Sequence, residues 1–376
     1  MIYLDSAATT LQKPASVARS AGWAIGHLAS PGRGGHQPAM DAAKVAFSCR
    51  EAATELFHVS DPEQVVFTFN ATHALNIAIN SMIAPGDTVV VSGWEHNAVT
   101  RPLHAISNVN IKVAAAPLFD AEETVEAFQR ELTRDVKAAV FTHVSNVFGF
   151  ILPIEKIAAL CRSRGIPFII DASQSAGCLP IDFQSLGADF IAMPGHKGLL
   201  GPQGTGLLLC KERGTPLLHG GTGSQSMSQE MPDFLPDRLE AGTHNIAGIA
   251  GLLEGIRYLQ KMTLKRILLH EQELIRHMGA GLARIPGTKA FLARDPMVQG
   301  GVLSFQTEEQ DCEGIAQALG NKGVAVRAGL HCAPYAHHSA GTLDMGTVRA
   351  SVSPFNTRQE IDRFLQIYKT VLEEQE

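Results

Sequence analysis

A single lysine lies in a glycine-rich stretch of the sequence, MPGHKGLLGPQGTG at residues 193–206. Glycine lets the main chain approach a ligand closely and adopt dihedral angles that are closed to other residues. Lys197, beside His196, is therefore a candidate for an amine that is positioned next to a ligand. The alternative is a glycine-rich turn that carries a surface lysine.

A cysteine follows a histidine in a second stretch, VRAGLHCAPYAHH at residues 326–338. A cysteine is a nucleophile when its thiol is exposed and partly ionised, and nearby cations favour that state. Cys332 is the candidate nucleophile, and the candidate cations are Arg327, His331 and Arg349. Two alternatives stay open: a thiol without catalytic consequence, or a metal site made with His337 and His338, although the spacing matches no standard zinc pattern.

Polar residues follow the predicted strands directly at several places in the first two thirds of the chain. They are Asn70-Ala71-Thr72, Glu95-His96-Asn97, Ser145-Asn146, Asp171 with Ala172-Ser173-Gln174, and His196-Lys197. Ligands of doubly wound sheets bind at the carboxyl ends of the strands, so we expect these groups to lie together. The helix that begins after Asn70 offers its N-terminal amides to a phosphate.

Together these residues match what pyridoxal phosphate (PLP) needs from a protein. A lysine forms the Schiff base, a carboxylate pairs with the pyridinium nitrogen, and backbone amides hold the phosphate. Each residue alone is a weak indication, since His96 could be a core histidine and Asp171 a helix N-cap. Nucleotide-binding patterns fit poorly, because the chain has no G-x-x-x-x-G-K-[ST] and its glycines fall in the wrong order for G-x-G-x-x-G.

Length and charge limit the class of protein. A chain of 376 residues exceeds the usual size of one core, so we expect two domains. A net charge of −6 argues against nucleic acid or an anionic membrane surface as the main partner. No apolar run approaches the roughly 18 residues of a membrane span, and the N-terminal residues do not form a signal peptide. Six cysteines without a C-x-x-C pair indicate a reduced, cytoplasmic enzyme, and Cys161 and Cys210 are predicted to be buried packing residues.

Short apolar runs alternate with helical segments between about residues 40 and 215. The predicted strands span 64–69, 87–92, 110–115, 138–144, 167–172, 189–194 and 206–210. Most lack strict alternation, which is typical of strands covered on both faces. The pattern predicts a doubly wound, largely parallel α/β sheet, followed after about residue 245 by a smaller α+β domain. We assign residues 15–245 to the large domain and residues 1–14 and 246–376 to the small one.

Eight segments of the chain resemble the successive signatures of class V, fold-type I PLP enzymes. They are YLDSAATT, EHNAV, HVSNVFG, DASQS, GHKGLLGP, LEAGTHN, RAGLHCA and VRASVSPFNT, in that order between residue 3 and about residue 357. They are most similar to the cysteine desulfurase and selenocysteine lyase family, in the branch with a short catalytic loop. The resemblance implies a mostly parallel mixed sheet flanked by helices, plus a smaller C-terminal α+β domain.

The resemblance also implies a role for individual residues. The implied catalytic residues are Lys197 (the Schiff-base lysine), Cys332 (the sulfur acceptor) and His96 (stacked on the ring). The implied cofactor-binding residues are Lys197, His96, Asp171 at the pyridine nitrogen, Gln174 at the phenolic oxygen, Asn146, and Ala71, Thr72 and His196 at the phosphate, with Thr243 reaching the phosphate of a neighbouring subunit. The implied substrate-binding residues are Arg349 for the carboxylate, Asn146, Ala8, Arg327, and His36 from the partner chain. No metal is expected.

The activity that the resemblance implies is transfer of sulfur from L-cysteine to Cys332, with L-alanine as product, in a homodimer with shared sites. L-Selenocysteine is a second candidate substrate, and an acceptor protein is a candidate partner. Another class V enzyme in which Cys332 is not essential, such as a selenocysteine lyase, a C–S lyase, an aminotransferase or an epimerase, remains the alternative. The chain departs from the family pattern at Pro194, Ala71 and Leu330, where relatives often have a serine, a threonine and a histidine.

Overall fold

The computed structural model describes residues 1–32, 34–211, 213–308 and 310–374. Its helices are α1 (Ala15–His27), α2 (Gln37–Phe57), α3 (Ala71–Met82), α4 (Asn97–Ala105), α5 (Ala121–Glu131), α6 (Ile154–Ser163), α7 (Phe183–Leu186), α8 (Ile246–Met262), α9 (Leu264–Leu282), α10 (Cys312–Asn321), α11 (Pro334–Ala340) and α12 (Arg358–Glu373). Its strands are β1 (Ile2–Tyr3), β2 (Val65–Thr68), β3 (Thr88–Ser92), β4 (Asn110–Ala114), β5 (Val136–Thr142), β6 (Phe168–Asp171), β7 (Phe190–Pro194), β8 (Gly206–Cys210), β9 (Thr288–Ala290), β10 (Val302–Thr307), β11 (Val324–Ala325), β12 (Arg327–Gly329) and β13 (Thr347–Ser351).

A seven-stranded sheet with the order β2-β8-β7-β6-β5-β3-β4 forms the centre of the molecule. Only β8 runs antiparallel to its neighbours within this sheet. All residues of β6, β7 and β8 are buried, because helices cover both faces and two separate apolar clusters form there. The predicted mixed, mostly parallel α/β sheet is confirmed.

The fifth strand differs from the sequence prediction by two residues at each end. It spans Val136–Thr142 rather than 138–144. It ends at Thr142 because the backbone N–H of that residue donates to the buried side chain of Glu95, on the side of β3, at 2.8 Å. The Glu95 side chain therefore replaces a backbone acceptor of β3 at the carboxyl end of β5.

A second, four-stranded antiparallel sheet with the order β12-β13-β10-β9 lies in the C-terminal third of the chain. Its apolar face packs with α9, α10 and α12 into a third cluster, which includes Phe305, Phe364 and Tyr368. Each fully buried aromatic side chain of this kind contributes on the order of 2 kcal/mol through burial. The N-terminal strand β1 pairs in parallel with β11, which ties residues 2–3 to this unit.

Helix α8 packs on α1 and α2, and its residues Ile249, Leu252 and Ile256 share a cluster with the large sheet. The helix therefore buries its apolar face against the larger unit, although it follows residue 245 in the sequence. The division into domains at that residue stays a prediction.

Candidate active site

The carboxyl ends of the sheet strands surround one cavity. Its lining residues are Asn70, Ala71, Thr72, His96, Ala98, Thr142, Val144, Asn146, Asp171, Ser173, Gln174, Pro194, His196 and Lys197. The structure thus brings together residues from all five of the predicted strand ends. They include eight of the candidate cofactor-binding residues.

The N-terminus of α3 forms one end of this cavity. Asn70 caps the helix, since its side-chain oxygen accepts a 2.9 Å hydrogen bond from the backbone N–H of His73. The first N–H groups of a helix have no intrahelical acceptor and favour an anion. The backbone of Ala71 and Thr72, with the exposed Thr72 hydroxyl, can therefore hold a phosphate.

His196 is a neutral imidazole at the same end of the cavity. Its Nδ1 lies 3.0 Å from the hydroxyl of Thr9, while burial and the neighbouring Lys197 lower its pKa to about 4. The backbone carbonyl of His196 accepts hydrogen bonds from the Thr10 N–H and the Lys13 ammonium, each at 3.2 Å. His196 can thus contact a phosphate as a hydrogen-bond donor and not as a cation.

Asp171 lies at the end of β6 and is buried at 2% exposure. One carboxylate oxygen accepts a 2.9 Å hydrogen bond from the backbone N–H of Ser173, and no other side-chain bond of Asp171 exists in the residues described. The second oxygen is therefore free to pair with a cationic ring nitrogen. Asp171 is not a helix N-cap, because the next helix in the chain, α7, begins only at Phe183.

Lys197 is a buried amine whose ammonium form is disfavoured. Burial and the nearby Arg349 together lower its pKa to about 8, although Asp171 acts in the opposite direction. A lysine with this pKa has a substantial neutral fraction near pH 7.5 and can attack an aldehyde.

His96 presents a flat, uncharged ring to the cavity. Burial lowers its pKa to about 4, and its Nδ1 accepts a 2.9 Å hydrogen bond from the backbone N–H of Ala98. This bond leaves the proton of the neutral ring on Nε2. Such a ring can stack on an aromatic cofactor.

Glu95 holds the loop before His96 and was not among the predicted site residues. It is fully buried, and its Oε1 accepts hydrogen bonds from the Ser92 hydroxyl and the Thr142 N–H. Burial raises the pKa of Glu95 to about 8. The sequence signal was its position directly after a strand, but spacing alone does not reveal a side chain that bonds back to the neighbouring strand.

Two amide side chains connect the cavity to other segments. The amide nitrogen of Gln174 donates to the Ala7 carbonyl at 3.0 Å, which places the half-buried Ala8 segment beside the cavity. The amide nitrogen of Asn146 donates to the His331 carbonyl at 2.8 Å, while its buried Oδ1 has no partner among the described residues. Such an unpartnered acceptor indicates a ligand that donates a hydrogen bond.

Arg349 is 2% exposed and is already paired with protein groups. Its guanidinium donates to the Asp5 carboxylate at 2.8 Å and to the Asn146 carbonyl at 3.0 Å, and its Nε has no partner in the part of the chain that the structure describes. Asp5 was missed as a site residue, although it lies within the YLDSAATT segment. Nothing in local spacing links it to a residue near the other end of the chain.

Cys332 is exposed on a short loop that hydrogen bonds of Cys332 and His331 connect to other segments of the protein. Its carbonyl accepts from the Asn97 N–H at 2.7 Å, and the carbonyl of the preceding His331 accepts from Asn146. The His331 ring lies 3.2 Å from the carbonyl and hydroxyl oxygens of Thr347. The loop therefore joins the segment that follows His96 to the segment that carries Arg349.

The expectation that His331 supplies positive charge to this loop is wrong. Burial lowers its pKa to about 2, and Arg349 acts in the same direction, so the ring is neutral. Arg327 is exposed on β12, directly opposite Arg349 on β13. The two arginines are thus the cations near the loop.

Two of the other cysteines differ from Cys332 in burial. Cys161 and Cys210 are 0% exposed, which confirms them as packing residues. In the described ranges no group of three or more His, Cys, Asp and Glu side chains could hold a metal ion. Likewise, no helix described here is long and apolar enough to cross a membrane.

Thr243 and His36 are exposed and do not line the cavity of their own chain. His36 precedes α2, and Thr243 precedes α8. Their predicted roles in a neighbouring subunit stay predictions.

Comparison with known proteins identifies the family, since the aminotransferase class-V family model matches residues 2–364. The chain belongs to this family. It is 33% identical to a probable cysteine desulfurase of Methanothermobacter thermautotrophicus, over 96% of this chain and 92% of that protein. A probable cysteine desulfurase of Mycolicibacterium paratuberculosis is longer: it is 32% identical over 99% of this chain and 56% of its own length.

Solved structures agree with this assignment. The apo cysteine desulfurase of Thermococcus onnurineus superposes with a TM-score of 0.91 at 28% identity, covering 99% of this chain and 95% of that one. A cysteine desulfurase of Escherichia coli gives a TM-score of 0.86 at 27% identity, with the same coverage. The fold-type I architecture is confirmed, and the chain is a PLP-dependent enzyme. The cavity fits that cofactor, because it combines a free carboxylate oxygen, a buried amine, an unpartnered amide oxygen and a helix N-terminus.

Proposed function

We propose that this enzyme is a cysteine desulfurase, which converts L-cysteine to L-alanine and takes up the sulfur on Cys332 as a persulfide. The observation that carries the proposal is the position of the exposed Cys332. Its backbone is bonded to Asn97, next to His96, and its loop is bonded to Asn146. Both His96 and Asn146 line the cavity that holds Lys197.

The bound cofactor would supply an aldehyde for the substrate amine and a ring that accepts electrons from the substrate carbon. Lys197 would hold the cofactor and carry the proton at the substrate Cα, since its amine is buried and titrates near neutral pH. Asp171 would pair with the ring nitrogen through its free carboxylate oxygen. His96 would cover one face of the ring.

Arg349 would bind the substrate carboxylate. Its Nε–H is free, and its orientation is set by Asp5 and the Asn146 carbonyl. A guanidinium held in this way offers a planar, directional donor to a carboxylate.

The Cys332 thiolate would then attack the substrate sulfur. An S–S bond forms, the C–S bond breaks, and its electron pair stays on carbon, which takes up a proton to give alanine. The sulfur leaves the persulfide on a reductant or an acceptor protein. Since this cycle needs a free thiol, we place the enzyme in the reducing cytoplasm.

The deciding experiment measures sulfide released from L-cysteine in the presence of a reductant, together with the alanine formed. We expect Cys332→Ala to abolish sulfide release while the cofactor absorbance remains. Cys312→Ser is the matched control, because that partly buried thiol bonds to the Met345 carbonyl elsewhere on the small sheet. Full turnover of cysteine by the Cys332→Ala enzyme would favour a lyase that acts on cysteine or selenocysteine.

We also propose that the enzyme is a homodimer in which Thr243 and His36 complete the partner's site. Four large apolar side chains are exposed on α1 and α2 of the single chain: Trp23, Ile25, Met40 and Phe47. Exposed apolar groups of this size favour an interface with another chain. Mixing Lys197→Ala chains with Thr243→Ala chains should restore activity if sites are shared, whereas a monomer in light scattering would contradict the proposal.

A further inference from the structure

A second cavity lies beside the site described above and shares Lys197, Gln174 and Val144 with it. It encloses about 40 Å³, which is room for about two or three water molecules. Its polar wall includes Ser6, whose buried hydroxyl has no hydrogen-bond partner within the described ranges. The cavity is therefore suited to hold water in contact with Lys197 and Gly198, which both line it.

Glu271 projects into this cavity from α9. Its side chain is 3% exposed, and the partner it has among the residues described is the weakly donating thiol of Cys178, at 3.9 Å from Oε1. A buried carboxyl group without a cation or a strong donor is costly and is uncommon in proteins that do not use it.

Gly301 leaves the space that this carboxyl group occupies, and Gly198 leaves the space beside the Cys178 thiol that bonds to it. A Cβ at Gly301 would lie 2.7 Å from Glu271 Oε2, and a Cβ at Gly198 would lie 3.0 Å from the Cys178 sulfur. Gly198 directly follows Lys197. The backbone is thus open where the carboxyl group approaches the lysine segment.

The other walls of this cavity carry no competing charge. The titratable side chains that line it in the described part of the chain are Lys197, Cys178 and Glu271. The N-terminal segment, the residues before β10 and the residues around β13 contribute serine, threonine, glycine, valine and proline.

We propose that Glu271 holds a proton for the Lys197 amine and exchanges it with that amine through water in the second cavity. This role rests on the proposed function of Lys197 in moving the substrate proton. In the exchange, the O–H bond of Glu271 breaks and an N–H bond forms at Lys197 Nζ, which leaves a carboxylate and an ammonium. The reverse step restores both groups, so that no other reactant is consumed.

The similar pKa values of Glu271 and Lys197 support this assignment. Burial raises the pKa of Glu271 to about 8, in the range to which burial lowers the pKa of Lys197. A proton moves at little cost in free energy between groups of similar pKa. Glu271 thus acts through Lys197, by giving a proton to its amine and taking it back, and does not itself contact the substrate.

The first test uses the full chain without cofactor and follows the pH dependence of Lys197 labelled by reductive ¹³C-methylation. The signal is assigned by its loss in Lys197→Met. We expect Glu271→Gln to lower the titration midpoint of Lys197, because no carboxylate can then form in the cavity that both side chains line. The matched control is Glu273→Gln, the same change at an exposed position of the same helix. Coincident curves for wild type and Glu271→Gln would overturn the proposal.

The second test measures exchange of the L-alanine α-proton in D₂O by the cofactor-loaded enzyme. We expect Glu271→Gln to slow this exchange about tenfold with unchanged cofactor absorbance, and Glu271→Asp to recover part of the rate. An unchanged exchange rate, or a loss that only follows loss of cofactor and fold, would overturn the proposal. Neither test uses cysteine, so failure of sulfur transfer would be seen separately.

Discussion

The guanidinium of Arg349 and the carboxylate of Asp5 form a partly buried ion pair at 2.8 Å, with 2% and 21% exposure of the two side chains. The pair joins β13 to the segment after β1, across 344 positions of the sequence. Since Arg349 also donates to the Asn146 carbonyl, the arginine that we assign to substrate binding is held by both sheets.

Replacing Asp5 by asparagine should destabilise the protein by about 3 kcal/mol, because it leaves a buried guanidinium without its counter-charge. Urea unfolding of the cofactor-free chain measures the loss. Asp135→Asn is the control, since Asp135 pairs with Lys112 at the surface and should show little change. Equal effects of the two substitutions would contradict a stabilising role of the Asp5–Arg349 pair.

Lys197→Met should stabilise the cofactor-free protein at neutral pH. The folded protein lowers the pKa of Lys197 from 10.5 to about 8, so folding a protonated lysine costs about 3 kcal/mol below pH 8. Between pH 8 and 10.5 the unfolded chain binds more protons, and the wild type gains stability as the pH rises. The advantage of the variant should thus be greatest below pH 8 and vanish above about pH 10.5. Chemical unfolding at several pH values checks this, and an advantage independent of pH would contradict it.

Pro194→Ser should tighten cofactor binding. Pro194 lines the cavity beside the proposed phosphate contacts Thr72 and His196, and a serine there would add one hydroxyl donor. One such hydrogen bond is worth about 1 kcal/mol, or about fivefold in the dissociation constant. Equilibrium dialysis against PLP measures it. Thr72→Ala should act in the opposite direction, and weaker binding by the serine variant would show that the position does not face the phosphate.

Arg327→Gln should slow alkylation of Cys332 by iodoacetamide severalfold at pH 7. Arg327 is the exposed cation near the loop, and a cation favours the thiolate. His331 is neutral, so the alkylation rate should show no additional step near pH 6.5. Such a step, or an unchanged rate in the variant, would indicate that another group supplies the charge. Mass spectrometry of the Cys332 peptide distinguishes it from the other thiols.

Local patterns in the sequence were sufficient to predict the large sheet. Strands such as β6 and β7 are continuous apolar runs because both faces are buried, and the polar residues at or just after their ends lie where parallel strands end together. Asp171, Asn146 and Lys197 meet in one cavity for this reason alone.

Contacts between distant segments could not be read from the sequence. The pairing of Asp5 with Arg349 and the approach of Glu271 to Cys178 depend on how distant segments are placed. The bond from Thr142 to Glu95 depends on which strands are neighbours in the large sheet. The neutral state of His331 was missed for a related reason, since burial is a property of the folded chain.

Hydrogen bonds restrict the movement of the loop that carries Cys332. With its carbonyl groups anchored to two neighbouring segments, the sulfur atom can turn about its side-chain bonds but cannot be carried outward on a swinging arm. A sulfur acceptor must therefore bind at the protein surface and reach into the mouth of the cavity to contact that atom. Sulfur transfer would then depend on whether the shape of the acceptor fits this mouth, and not on movement of the Cys332 loop.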